Sequence, residues 1–293
     1  MSGLDLRAAL GGEPTGGLVA GITWVPTETL EALAFGTAAV GPADSLATVA
    51  SALELDFAVV PAEQYWAHEA VSELHERGIA ALWSVAGVLG RIAERIGWTE
   101  ALRLTAAEPG ALAVLLGEAL HDALEMARSG RSARADALLV ADDLAGATGP
   151  LVSPDFALDA LVPCYGNIAR EAAEHAIPVV FHSDGDIRIL LPALKRAGFS
   201  AVHLAGLAEA PFAASHAAGR SAGLMTLGGI ESRALMAGAR RLGSHAGSLA
   251  LSGGMLLCDD GGITSPEEVA AYASALEVAR DTYAAGITDQ PEL

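Results

Sequence analysis

At 293 residues the chain is long enough for one core that buries roughly three quarters of its unfolded surface, and a single domain over residues 1–293 is expected. Its 36 acidic against 17 basic side chains give a formal net charge of −19, which repels phosphate and argues against nucleic acid or an anionic membrane as partner. Hydrophobic residues make up 52% of the chain, yet no apolar run approaches the roughly 20 residues that cross a bilayer.

In chain order, Met1 to Leu10 carries Asp5 and Arg7 in a short amphipathic pattern with no basic segment leading into an apolar stretch. No leader is expected there, and the cytoplasm is the expected compartment. Eight apolar or β-branched runs then read as strands: Leu18 to Trp24, Asp56 to Pro61, Ile79 to Val85, Ala137 to Asp142, Pro178 to His182, Ala201 to Leu204, Gly223 to Leu227 and Ser248 to Leu257. Between them Glu63 to Arg77, Gly110 to Arg128, Pro154 to His175, Ile187 to Ala197, Ser232 to Leu242 and Pro266 to Tyr283 have helical apolar spacing. Strand and helix alternating eight times at this length predict a single α/β domain, a (β/α)8 TIM barrel, rather than an open doubly wound sheet.

Capping residues agree with these boundaries. Ser153-Pro154-Asp155 and Ser265-Pro266-Glu267 each offer an N-cap, a Pro at the first helical position and an early acid. Gly78 and Gly198 follow helices that end in cations. Ser129 to Arg134, polar and basic, reads as a surface connection. The two cysteines, Cys164 and Cys258, are too few for a disulfide framework and suit a reducing compartment. Phosphate-loop and dinucleotide fingerprints are absent from the sequence.

Two clusters sit where parallel strands would end, the place where α/β barrels keep their chemistry. Asp142-Asp143 follows the run from Ala137, and His182-Ser183-Asp184-Gly185 follows the run from Pro178. These make His182, Asp184, Asp142 and Asp143 the catalytic candidates. Trp24, Trp83, Glu231 and Asp260, near other strand ends, are candidates for binding substrate. Asp142, His182 and Asp260 are expected to open into one mouth. Residues two apart in an extended stretch point the same way, so His182 and Asp184 can face one pocket and jointly hold a divalent cation or polarise a bound donor. Each residue also has a plainer reading. His182 can be a neutral core histidine, Asp142-Asp143 can bond neighbouring backbone N–H groups, and Asp184-Gly185-Asp186 makes a good turn and N-cap. Cys258 can be a small buried apolar residue.

Several motifs occur in order along the chain: the strand ending Asp142-Asp143, the turn Gly149-Pro150-Leu151-Val152-Ser153-Pro154, Pro163 in the next helix, His182-Ser183-Asp184-Gly185, Gly228-Gly229-Ile230-Glu231, and Gly253-Gly254 leading to Asp260. In these, from Ala137 to about Val278, the chain resembles the uroporphyrinogen decarboxylase superfamily, which includes cobalamin-dependent methyltransferases as well as the haem-pathway decarboxylase. The resemblance implies corrinoid-dependent methyl transfer between a small-molecule substrate and the cobalt of a separate corrinoid protein. The zinc-dependent methyltransferases carry His-x-Cys where this chain has His182-Ser183-Asp184, and a later Cys where it has Gly261, with Cys258 three residues earlier. The implied site for zinc or another divalent metal therefore consists of His182 and Asp184, with Asp142 or Asp143 and Cys258 to complete it. An oxygen-rich site of this kind is less thiophilic than a thiolate one and suits a methyl ether or methylamine donor. A decarboxylase-like carboxy-lyase in porphyrin metabolism is the alternative enzyme, although Leu18 to Leu55 contains no Arg or Lys to hold substrate carboxylates. A non-catalytic barrel that binds a small molecule or corrinoid is the third reading. The sequence is compatible with a homodimer.

Overall fold

Apolar runs bounded by Gly, Pro and acids become the parallel strands β1 (Gly21–Ile22), β2 (Phe57–Pro61), β3 (Ala80–Ala86), β4 (Ala137–Ala141), β5 (Val179–Ser183), β6 (Ala201–Leu204), β7 (Met225–Ile230) and β8 (Met255–Asp259). In this computed structural model, described for residues 6–13, 15, 17–34, 36–146, 149–204 and 212–288, each strand pairs with the next in chain order. The ring closes where Ala20 bridges Leu257 in parallel, with Leu257 N–H donating to the Val19 carbonyl at 2.9 Å. Helices pack outside the ring, so the fold is the expected (β/α)8 barrel. Among the described residues no helix is long and apolar enough to cross a membrane.

Strand periodicity sorts the side chains into two cores. Inside the ring lie Phe57, Val59, Leu82, Leu139, Val180, Leu227 and Cys258, joined at the N-terminal end by Leu6, Ala9 and Leu10 of a short helix. Outside, Val60, Trp83, Val140 and Phe181 pack against the helices. The C-terminal end of the ring carries the polar groups.

Element boundaries differ from expectation at several places. Residues 248–250 finish the helix Ser232–Ala250 rather than starting a strand. Ala246 and Ala250 bury on that helix before Gly253-Gly254 turns the chain into β8. The stretch from Ser129 continues the helix Ala113–Ser132 before the connection. Strand β7 runs on to Ile230 and takes in Gly228-Gly229. Within the region from Pro154, a wide π turn at Ala157–Leu161 precedes the helix Val162–Ala173. Pro163 lacks an N–H and crowds the carbonyl four residues earlier, and the wider turn relieves both.

Candidate metal centre at the barrel mouth

Period-two alternation carries the inner face of each strand up to the mouth. On β5, Val180 points inward, so His182 does too; Asp184 follows it two residues later. On β4, Leu139 is inward, which places Asp143 at the rim and turns Asp142 outward. On β6 and β8 the same parity brings His203 and Asp260 inside. The result is an open cavity of about 770 Å³ walled by Trp24, Asp143, His182, Asp184, Asp260 and Glu268, with Arg233 as the cation in its lining.

His182 is the centre of this arrangement. Its Nε2 lies 3.8 Å from Oδ1 of Asp143 and 3.8 Å from Oδ1 of Asp184. Burial and the neighbouring His203 hold its pKa well below the ordinary histidine value, so the imidazole is neutral and these are not ion pairs. Its Nδ1 lies 2.8 Å from Nδ1 of His203, whose Nε2 lies 2.8 Å from the Asp259 carbonyl oxygen. Trp24 packs edge-on to the His182 ring at 4.8 Å and donates its indole N–H to Ser84 Oγ at 3.1 Å. Asp184 is pushed up to about 6, by partial burial first and then by the charges of Asp143 and Asp260. Its backbone N–H donates to Asp143 at 3.1 Å, and the Ser183 hydroxyl accepts from Leu144 N–H at 2.9 Å. The loops after β4 and β5 are thereby tied together.

The residues fit a divalent cation. One ligand atom each from Asp143, His182 and Asp184 lie within 4.8 Å of one another. The two 3.8 Å spacings are slightly wider than the edge of about 3.4 Å set by ligands roughly 2.0–2.1 Å from one tetrahedral ion. A neutral imidazole nitrogen with two carboxylate oxygens suits a borderline or hard divalent metal better than a thiophilic one.

Four candidate residues stand elsewhere. Asp142 is 2% exposed and faces outward; it accepts from the backbone N–H of Leu89 at 2.7 Å and Gly90 at 2.8 Å and from the Tyr165 hydroxyl at 2.6 Å. It caps the helix Val88–Ile96 from a neighbouring strand end, and Gly87 permits the approach, since a Cβ there would lie 2.3 Å from that of Asp142. Trp83 has the opposite parity to Leu82 and packs outside the ring, donating to the Met126 carbonyl at 3.0 Å. Cys258 points into the inner core and lies outside the three-residue group; burial pushes its thiol pKa up. Glu231 sits at the start of the helix Ser232–Ala250, 3.7 Å from Arg233, and does not line the cavity.

Gly261 stands where the resemblance implies a thiolate. It adopts φ +94°, and a Cβ there would meet the Trp24 ring at 3.1 Å. The indole edge crowds this position and would have to shift by a few tenths of an ångström to admit a side chain. His203 belongs to no motif, and its signal in the sequence is its phase: in Ala201-Val202-His203 it shares the inward parity of Ala201 and pairs in register with His182.

Fold and site together define a barrel with a candidate metal centre at the C-terminal ends of its strands. The chain belongs to the uroporphyrinogen decarboxylase (URO-D) family, whose sequence pattern it matches over residues 79–249. Among solved structures it is similar to a methyltransferase from Methanosarcina mazei, with 17% identity and a TM-score of 0.73 over 96% of this chain and 98% of that one. It is also similar to D-psicose 3-epimerase from Clostridium cellulolyticum H10, with 11% identity and a TM-score of 0.53 over 92% and 98% of the two chains. At these identities the likenesses bear on the barrel fold alone. No curated protein matches the sequence.

Proposed function

We propose that this protein is a methyltransferase that moves a methyl group between a small substrate at the barrel mouth and a corrinoid protein docked over it. The observation that carries the reading is the neutral His182 imidazole, whose Nε2 stands 3.8 Å from both Asp143 and Asp184 in an open cavity. A divalent cation bound by these three residues would act as a Lewis acid, drawing electron density from the heteroatom that carries or receives the methyl group. Asp143 and Asp184 supply charge, and His182 supplies a neutral nitrogen. Trp24 and Ser84 hold the wall beside the reacting position. With oxygen ligands in place of thiolates, the site favours a methyl ether or methylamine over a thiol. Membership of the uroporphyrinogen decarboxylase family, and a fold shared with a methyltransferase from Methanosarcina mazei, are in keeping with the class.

The rim supports a protein partner. Tyr65, Leu151, Ile189 and Met236 are exposed large apolar residues, and each lies on a segment that leaves the C-terminal end of a strand. Their place on the C-terminal face, with Leu151 in the cavity lining, is in keeping with a partner docked there.

A carboxy-lyase acting on a multiply charged porphyrinogen fits less well. The lining sets Asp143, Asp184, Asp260 and Glu268 against Arg233, and a substrate with several carboxylates would meet like charge.

The test mixes purified, zinc-loaded protein with cob(I)alamin and single methyl donors: a methoxyaromatic, methanol, methylamine or trimethylamine. Formation of methylcob(III)alamin in the visible spectrum, abolished in Asp184→Asn, is the expected result. No transfer from any donor, with zinc demonstrably bound, would overturn the reading.

A further inference from the structure

His203 is fully buried on β6, does not line the cavity, and yet makes two short polar contacts. Its Nε2 is 2.8 Å from the Asp259 carbonyl oxygen. A carbonyl can only accept, so that nitrogen carries a hydrogen and donates it. Both hydrogen-bond partners of the fully buried ring are neutral, a backbone carbonyl and a second imidazole, and a buried charge without a charged partner is costly, so His203 is neutral; with its proton on Nε2, its Nδ1 is bare. That bare nitrogen faces Nδ1 of His182 at 2.8 Å. Two bare nitrogens would repel at this distance, so His182 Nδ1 carries the proton and donates it. The lone pair of His182 is then left on Nε2, the atom that faces Asp143 and Asp184.

We infer that His203 is a positioning residue: through the chain Asp259 carbonyl, His203, His182, it locks His182 in the Nδ1–H tautomer and presents a bare Nε2 to the mouth. The backbone of β8 thus sets the state of a side chain on β5. The two rings are near-parallel, with centroids 4.8 Å apart, and Trp24 abuts both, at 4.8 Å from His182 and 5.8 Å from His203. Neither ring is free to turn over. In the other tautomer a hydrogen would occupy Nε2 and block any cation. The value of this lock for cation binding rests on the proposed function; the lock itself does not.

The test reads the tautomer directly, in metal-free protein labelled with 15N-histidine. Long-range nitrogen–proton correlations distinguish protonated from bare ring nitrogens, and His182 is assigned by its absence from His182→Gln. Cobalt(II) titration of the same samples measures cation affinity. Wild type should show His182 protonated on Nδ1 alone. His203→Leu removes the acceptor, so the Nε2–H form should appear. His203→Asn keeps an acceptor oxygen near the position of Nδ1 and should restore the Nδ1–H form. Cobalt affinity should fall about tenfold or more in His203→Leu and stay within about threefold of wild type in His203→Asn, the size expected for a partner that orients a ligand. A wild-type His182 protonated on Nε2, or a folded His203→Leu protein that keeps the pure Nδ1–H form, would overturn the inference. If His203→Leu does not fold, the wild-type and His203→Asn spectra decide it, and an Nε2–H signal in either contradicts it. A wild-type protein with the expected tautomer that binds no cobalt would leave the lock standing and defeat the metal site.

Discussion

Asp142 spends its charge on the backbone. Held by Leu89, Gly90 and Tyr165, it is nevertheless pushed up to about 6, because burial outweighs those three bonds. An unfolded Asp titrates near 3.9, so between about pH 4 and 6 the folded protein binds a proton that the unfolded chain does not. This carboxyl therefore adds most to stability below pH 4 and loses that contribution as pH rises through about 6. Asp142→Asn should destabilise the protein, by about 1–3 kcal/mol for the donor left facing an amide N–H₂, and the deficit should be larger at pH 5 than at pH 7.5. Urea unfolding at the two pH values measures it, and an equal deficit at both would show that Asp142 titrates normally. Gly261→Cys should cost about 1–3 kcal/mol for a side chain forced into left-handed φ and should leave cation affinity unimproved, because Trp24 crowds the approach. Thermal unfolding and cobalt titration check this, and tighter cobalt binding would contradict it. At this scale His182 and Asp184 were legible as mouth residues because each follows an apolar run. Asp142 and Trp83 were misplaced because closeness to a strand end says nothing of parity: Leu82 and Leu139, read as inward, would have turned both outward.

Among the elements, the seam between β1 and β8 is the weak part of the ring. Strand β1 has two ladder residues, Gly21 and Ile22, while β2 through β4 have five or more each. Side chains compensate: Asp259 accepts from Thr23 through both the backbone N–H, at 2.8 Å, and the hydroxyl, and Tyr272 donates its hydroxyl to the Gly21 carbonyl. Thr23→Val should cost about 1–3 kcal/mol, since Asp259 is fully buried and loses a partner. Its amide exchange should quicken at Ile22 and Leu257 before it does at Leu82 or Leu139. Uniform quickening across all four strands would show that the seam is not a separate unit. The eight strands were readable from apolar runs and their punctuation. The eighth began too early because Ser248-Leu249-Ala250 continues a helical spacing as readily as it starts a strand, and short apolar runs do not separate the two. The closing contacts of Thr23 and Tyr272 left no local signal, since their partners are more than 200 residues away.

At the scale of the whole molecule, the barrel mouth shares the negative balance of the chain. A mouth lined by four acids and one arginine, in a chain of net charge −19, attracts cations and excludes polyanions. Uroporphyrinogen should therefore not be decarboxylated at a useful rate; coproporphyrinogen formed efficiently by the purified protein would refute this. The general place of the site was legible, because the barrel alternation fixes which strand ends share a mouth. Its composition was only half legible: His203 acts through a neighbour and has no motif, and Cys258 is in phase with the interior one step below the rim. Whether Asp143, His182 and Asp184 form a cation site is tested by cobalt(II) and zinc titration of metal-free protein followed calorimetrically. Saturable binding of a single ion per chain is expected, weakened at least about tenfold in the Asp143→Asn/Asp184→Asn double variant, whose substitutions at exposed positions leave the melting temperature nearly unchanged. Absence of binding to the wild type, or equal binding to the double variant, would contradict it.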